Sequence, residues 1–145
     1  MENTATFSCM IGTTEASATL GMEIWLDDKQ IFNSEHVVET VDCHAEFGDA
    51  DGEHELRFVM KNKTIDHTQI DSEGKILKDA CLTIQDVVFE GIELGHMFIE
   101  QAVYTHDFNG TQAEIADKFF DVMGCNGTVS LKFTTPIYLW LLENM

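Results

Sequence analysis

The feature that most constrains this chain is a hydrophobic period of two. In residues 21–28, Met22, Ile24 and Leu26 fall on one side, and Glu23, Trp25 and Asp27 on the other. Residues 54–61 repeat the pattern, with Leu56, Phe58 and Met60 set against Glu55, Arg57, Val59 and Lys61. Residues 129–134 do so again, with Val129, Leu131 and Phe133 against Ser130, Lys132 and Thr134. Neighbouring side chains point to opposite faces in an extended backbone, so each run reads as a half-buried strand. Leu56, Phe58, Met60, Val129, Leu131 and Phe133 are the expected core. Asp51-Gly52, Glu73-Gly74, Asn109-Gly110 and Asn126-Gly127 lie between such runs and tolerate the positive φ of tight turns. In residues 81–94 the apolar parity moves from Leu82 and Ile84 to Val87 and Phe89, which predicts a bulge or a strand buried on both faces. The pattern predicts an all-β protein, an antiparallel β-sandwich of the jelly-roll type.

One stretch departs from this period. Thr111 and Glu114 have capping-box spacing, Ile115, Phe119, Val122 and Met123 recur at helical spacing, and Gly124 offers a stop. One short helix near the C-terminal part is expected there, with an ordered loop as the alternative. Pro136 is the one proline, and no linker rich in Pro, Gly or Ser interrupts the chain, so residues 1–145 read as a single domain. A hydrophobic share of 44% suffices for a core and argues against disorder.

Charge narrows the partners. With 26 acids against 8 bases, the net charge of −18 argues against nucleic acid and against anionic membrane surfaces. It suits solubility, a basic partner or a hard cation. No signal peptide is apparent, and the longest strongly apolar stretch, residues 137–142, is far too short to span a bilayer. Catalytic motifs are absent: there is no Gly-x-Ser-x-Gly elbow, His-Glu-x-x-His pair, Walker loop or Gly-x-Gly-x-x-Gly. The six histidines fall at no metal-ligand spacing. Cys9, Cys43, Cys81 and Cys125 form no CxxC pair and read as reduced, partly buried small hydrophobes. Their even number also permits two bridges in an oxidising compartment.

Two acidic loops have the oxygen ligands that calcium prefers. Residues 48–53 contain Asp49, Asp51 and Glu53, and residues 66–79 contain Asp66, Asp71, Glu73 and Asp79. Neither has EF-hand spacing, and a solvated hairpin loop explains either equally simply. Trp25 shares a face with Glu23 and Asp27. An indole among acids can stack on a sugar ring while the carboxylates accept hydroxyl hydrogen bonds. Alternatively, another sheet, a helix or a second subunit covers it. Tyr138 and Trp140 read as core or interface.

Residues 21–94 resemble the calcium-dependent, xylan-binding carbohydrate-binding modules. Gly21-Met22-Glu23-Ile24-Trp25-Leu26-Asp27-Asp28-Lys29-Gln30-Ile31-Phe32 looks like the strand–turn–strand opening of that family. Asp51-Gly52-Glu53-His54-Glu55-Leu56-Arg57-Phe58-Val59-Met60-Lys61-Asn62 is similar to a later strand, and Lys78-Asp79-Ala80-Cys81-Leu82-Thr83-Ile84 to its Asp-led strand. The resemblance implies a jelly roll whose loop-bound calcium contacts sugar hydroxyls, with Glu23, Asp71 and Asp79 at the ligand positions. The chain departs from the family at Asp27-Asp28-Lys29, where an Asn/Asp-Gly turn is usual, and lacks an Asn-Asp pair directly after the strand. Beyond Leu94, Tyr104-Thr105-His106-Asp107-Phe108-Asn109-Gly110 and Cys125-Asn126-Gly127-Thr128 look similar to uncharacterised proteins of marine tailed phages. The expectation is therefore a non-catalytic carbohydrate-binding module, with Trp25, Glu23 and Asp27 on the sugar and calcium on Glu23, Asp71 and Asp79. Virion-associated recognition of a host-surface glycan is the setting that the second resemblance implies. The alternative is a structural or assembly protein of a phage virion, acting through protein contacts, with homo-oligomerisation open in either case.

Overall fold

The computed structural model describes residues 4–14, 19–62, 68–70, 72–73, 76–106, 115–118, 122–123 and 126–144, of which 68–70, 76–79, 96, 106 and 115–118 are described as backbone alone. The alternating runs are strands. In chain order these are β1 (Thr4–Thr13), β2 (Gly21–Leu26), β3 (Lys29–Ser34), β4 (Val41–Gly48), β5 (Gly52–Lys61), β6 (Thr68–Ile70), β7 (Ile76–Asp79), β8 (Leu82–Phe89) and β9 (Ile92–Glu93). A helix α1 (His96–Gln101) follows, then β10 (Val103–His106), β11 (Ile115–Lys118), β12 (Val122–Met123), β13 (Gly127–Thr135) and a helix α2 (Ile137–Asn144).

The strands form two antiparallel sheets and a small hairpin. One sheet runs β12-β8-β1-β4, with β9 paired to β8; the other runs β11-β10-β13-β5-β2-β3; β6 pairs with β7. The sheets pack face to face through aromatic rings. Phe7 on β1 meets Phe58 on β5 at 6.4 Å between centroids, and Phe89 on β8 meets Phe133 on β13 at 5.0 Å. Phe47 on the edge strand β4 also reaches Phe133, at 5.3 Å. Leu56, Phe58, Met60, Val129, Leu131 and Phe133 are all buried, as their period of two requires. This is the expected antiparallel β-sandwich.

The parity change in residues 81–94 is a bulge. The pairing of β1 with β8 shifts register between Ser8 and Met10, and Asp86 takes φ of 52°. One extra residue on β8 lets Ile84 and Val87 both face the core. Gly127 opens β13 where β10 comes close; a Cβ there would collide with the Thr105 carbonyl.

The helix expected from the Thr111 capping box is not the one that forms. Thr111 and Glu114 lie outside the described residues, while Ile115–Lys118 is strand β11 against β10, and Val122–Met123 is strand β12 against β8. Neighbouring strands there offer ladder partners to the backbone, and such tertiary pairing overrides a modest local helix signal. Among the described residues, two short helices form elsewhere. In α2, the Ile137 N–H donates to Asp49 Oδ1 at 2.7 Å, so a carboxylate from the β4–β5 connection holds the helix start. Ile137, Trp140 and Leu141 face inward, while Tyr138, Leu139 and Leu142 are exposed. Among the described residues, no helix is long and apolar enough to cross a membrane.

Candidate functional site

The outer face of the β11-β10-β13-β5-β2-β3 sheet carries Trp25 and Glu23, two of the residues expected on a sugar. Register sets Trp25 on β2 opposite Arg57 on β5 and Gln30 on β3, and Arg57 opposite Ser130 on β13. Because Ile24, Leu26, Leu56 and Phe58 are buried, their polar neighbours must point outward. Among the described residues no strand or helix seals this row: Trp25, Arg57 and Ser130 are half-buried and Gln30 is exposed.

The side chains of this face hold one another. The Arg57 guanidinium carbon lies 5.9 Å from the centre of the Trp25 ring, a cation–π distance. Trp25 Nε1 donates to Glu23 Oε1 at 3.2 Å, and Gln30 Nε2 donates to the same oxygen at 2.7 Å. Lys61 Nζ sits 3.4 Å from Glu23 Oε2 and donates to Glu35 Oε1 at 2.6 Å and to Asn33 Oδ1 at 2.9 Å. The hydrogen bond to Glu35 raises the Lys61 pKa, and the same bond holds the Glu35 carboxyl below its ordinary range. Ser130 Oγ donates to Glu55 Oε2 at 2.7 Å. The result is a flat aromatic ring with its indole N–H oriented, bordered by donors and acceptors in fixed positions.

Asp27 belongs to a different cluster. It takes φ of 53° in the β2–β3 turn, where its Oδ1 accepts the Glu55 N–H at 2.9 Å and its Oδ2 lies 2.7 Å from His54 Nδ1. Partial burial pushes its pKa up, but the His54 hydrogen bond, the Glu55 N–H and the charges of His54 and Arg57 outweigh this and leave it lowered. His54 Nε2 lies 3.1 Å from Thr135 Oγ1, whose hydroxyl donates to the Ala50 carbonyl. Asp27, His54 and Thr135 thus line up like a nucleophile triad, but Thr135 is only 5% exposed and its proton is committed to a carbonyl. A groove of about 650 Å³ beside this cluster is lined by Asp27, Glu53, His54, Lys132, Phe133 and Trp140, among others.

Glu23 and Trp25 are therefore together, and Asp27 is turned away from them toward His54. Of the residues expected on calcium, Glu23 is already ion-paired, Asp71 lies outside the described residues, and Asp79 is described only as backbone in β7. Glu23 does not fit a calcium shell as it stands, because an ammonium occupies the approach that a cation would need. In the other acidic loop, Asp49 is taken up by α2. Among the described residues, no three His, Cys, Asp or Glu side chains gather closely enough to hold a metal ion.

Arg57, Lys61, Gln30 and Ser130 were not singled out by the sequence reading. The signal for Arg57 and Lys61 was present in the outward parity of residues 54–61 and that for Ser130 in residues 129–134, but parity does not show which strand lies alongside.

Two solved structures match this one over most of its length. A selenomethionine form of vCBM60, described in work on a circular permutation linking two families of calcium-dependent carbohydrate-binding modules, has a TM-score of 0.54 at 12% identity and covers 88% of this chain and 89% of that chain. vCBM60 in complex with galactobiose has a TM-score of 0.52 at 13% identity, covering 87% of this chain and 96% of that chain. The chain shares the fold of vCBM60. The likeness reaches past the 21–94 segment of the sequence resemblance, so the later strands belong to the shared architecture. No family model matches the chain, and no curated protein matches it.

Proposed function

We propose that this chain is a non-catalytic carbohydrate-binding module that takes a sugar on the Trp25 face. The observation that carries the reading is the half-buried indole on a sheet face that no described strand or helix seals, with Arg57 over the ring and Glu23, Gln30, Asn33 and Lys61 around it. A pyranose offers C–H groups on one face and hydroxyls at its edge; the first suit the ring, the second suit the border. The fold shared with vCBM60, one structure of which holds galactobiose, supports the same reading. A non-catalytic role is supported by the Thr135 proton being committed to Ala50.

The net charge of −18 disfavours polyanionic glycans, and the cations of this face are matched by acids, so the ligand class is a neutral oligosaccharide. Calcium enters the proposal through the 66–79 loop, with Asp71 and Asp79 as ligands; Glu23 joins only by releasing Lys61. Recognition of a host-surface glycan by a virion is the biological setting proposed. The test is titration with neutral xylo- and galacto-oligosaccharides, with millimolar calcium and with chelator. Saturable binding that Trp25→Ala abolishes is expected; silence on every neutral glycan overturns the reading. A melting temperature unchanged between calcium and chelator removes the metal while leaving the sugar face standing.

A second reading, an assembly protein that self-associates, rests on the exposed Tyr138, Leu139 and Leu142 of α2. Sedimentation at increasing concentration tests it, a dimer dispersed by Leu139→Glu being the supporting result.

A further inference from the structure

The sugar-face reading makes no use of a pair of thiols on the opposite sheet. Cys9 on β1 and Cys43 on β4 are direct cross-strand partners, and both side chains are buried on the inner face. Two inner pairs of these strands match large to small, Ala5 facing Phe47 and Phe7 facing Ala45, and a third sets Ile11 against Val41. At Cys9 and Cys43 two small side chains of the same kind meet instead.

Facing residues of antiparallel strands have Cα atoms ~4.5–5.5 Å apart, inside the ~4.4–6.8 Å span of disulfides. The two sulfurs already share a hydrogen bond, which raises the Cys9 pKa, with burial adding to the rise, and lowers that of Cys43. Cys81 is elsewhere: its N–H is bonded to Thr14 Oγ1, five residues along from Cys9, roughly 16 Å of strand. Strand β4 ends the sheet order, with β1 as its neighbour among the described residues, so local opening at this edge brings Cys43 to solvent first.

We propose that Cys9 and Cys43 form a thiol–disulfide site, converted by a small-molecule disulfide such as oxidised glutathione into a cross-strand bond that pins β4 to β1. The Cys43 thiolate attacks one glutathione sulfur, expelling one glutathione thiolate and leaving a mixed disulfide on Cys43. The Cys9 sulfur then attacks the Cys43 sulfur and expels the second glutathione. Two protein S–H bonds and one glutathione S–S bond break, while one protein S–S bond and two glutathione S–H bonds form. Two electrons pass to glutathione. The new link closes the chain from residue 9 to residue 43, a loop that contains β2 and β3 of the opposite sheet.

The experiment treats the full chain with oxidised glutathione, both natively and during refolding from denaturant, followed by alkylation and peptide mapping. A Cys9–Cys43 linked peptide is expected, with two thiols lost and a melting temperature raised by roughly 5–10 °C that dithiothreitol reverses. Cys43→Ala and Cys43→Ser should each abolish the shift while their reduced forms melt cooperatively. The proposal is overturned if the refolded native protein keeps both thiols alkylatable, stops at a glutathione adduct on Cys43, or links either residue to Cys81 or Cys125.

Discussion

The outer faces of the two sheets are built from the same alternation and carry opposite chemistry. The strands β1, β4, β8, β9 and β12 contain no lysine or arginine, and their outward positions include Asp42, Glu46 and Asp86. The other sheet holds Lys29, Arg57, Lys61, Lys118 and Lys132, together with Trp25. On the first face an acid meets water and solvates the molecule. On the second, Glu23, Glu35 and Glu55 meet cations that fix their positions around an aromatic ring. A face whose polar groups are already oriented loses less entropy on engaging a ligand, which is what a weakly binding sugar site requires. The difference is the ground on which the proposed sugar site is placed on the β5 side rather than the β1 side.

The largest perturbation removes the contact on which both faces depend. Phe58 is buried and reaches Phe7 across the sandwich, so Phe58→Ala should cost about 3–5 kcal/mol in urea unfolding. A loss below about 1 kcal/mol would show that the sheets are not held together there.

Next in size is the contrast in binding. Trp25→Ala should weaken oligosaccharide binding at least tenfold, about 1.4 kcal/mol, with the far-UV spectrum retained. His44→Ala, exposed on the acidic side, should change nothing in the same titration. Equal losses from both variants would erase the assignment of recognition to one face.

A third test separates the turn from the sugar face. Asp27→Ala removes acceptors for the Glu55 N–H and His54, and its carboxylate is 46% exposed, so about 1 kcal/mol is expected after solvent screening. The folded-state pKa of Asp27 is lowered, so its contribution is complete above the unfolded value of about 3.9 and is lost as pH falls through the folded value. Wild type and variant should therefore differ at pH 6 and converge in acid. A gap that persists unchanged in acid excludes the carboxylate as its source.

The smallest effect is expected at Lys61. Its partners are part-exposed acids, so Lys61→Met should move the melting temperature by no more than about 2 °C, less in high salt. The same variant should alter oligosaccharide affinity more than stability, because Glu23 loses the group that orients it. An affinity indistinguishable from wild type would remove Lys61 from the border of the site.

Local chemistry made much of this fold legible. Side-chain direction alternates with every residue of a strand, so Met22, Ile24 and Leu26 declared their buried face without knowledge of any partner. The change of parity between Ile84 and Val87 likewise announced either a bulge or a strand buried on both faces, and the register shift shows the bulge. Tertiary structure alone decided what depends on strands meeting. The helical spacing from Ile115 to Met123 yielded to pairing with β10 and β8, whose ladder partners no local window contains. Asp27 carried the same outward parity as Glu23, yet the turn sent its carboxylate to His54, a residue 27 positions away. Cys9 and Cys43 sit on strands whose register is set by the whole sheet, so their spacing in sequence was silent about their contact. Periodicity is written in neighbouring residues, whereas register and side-chain partnership arise only when distant strands share one core.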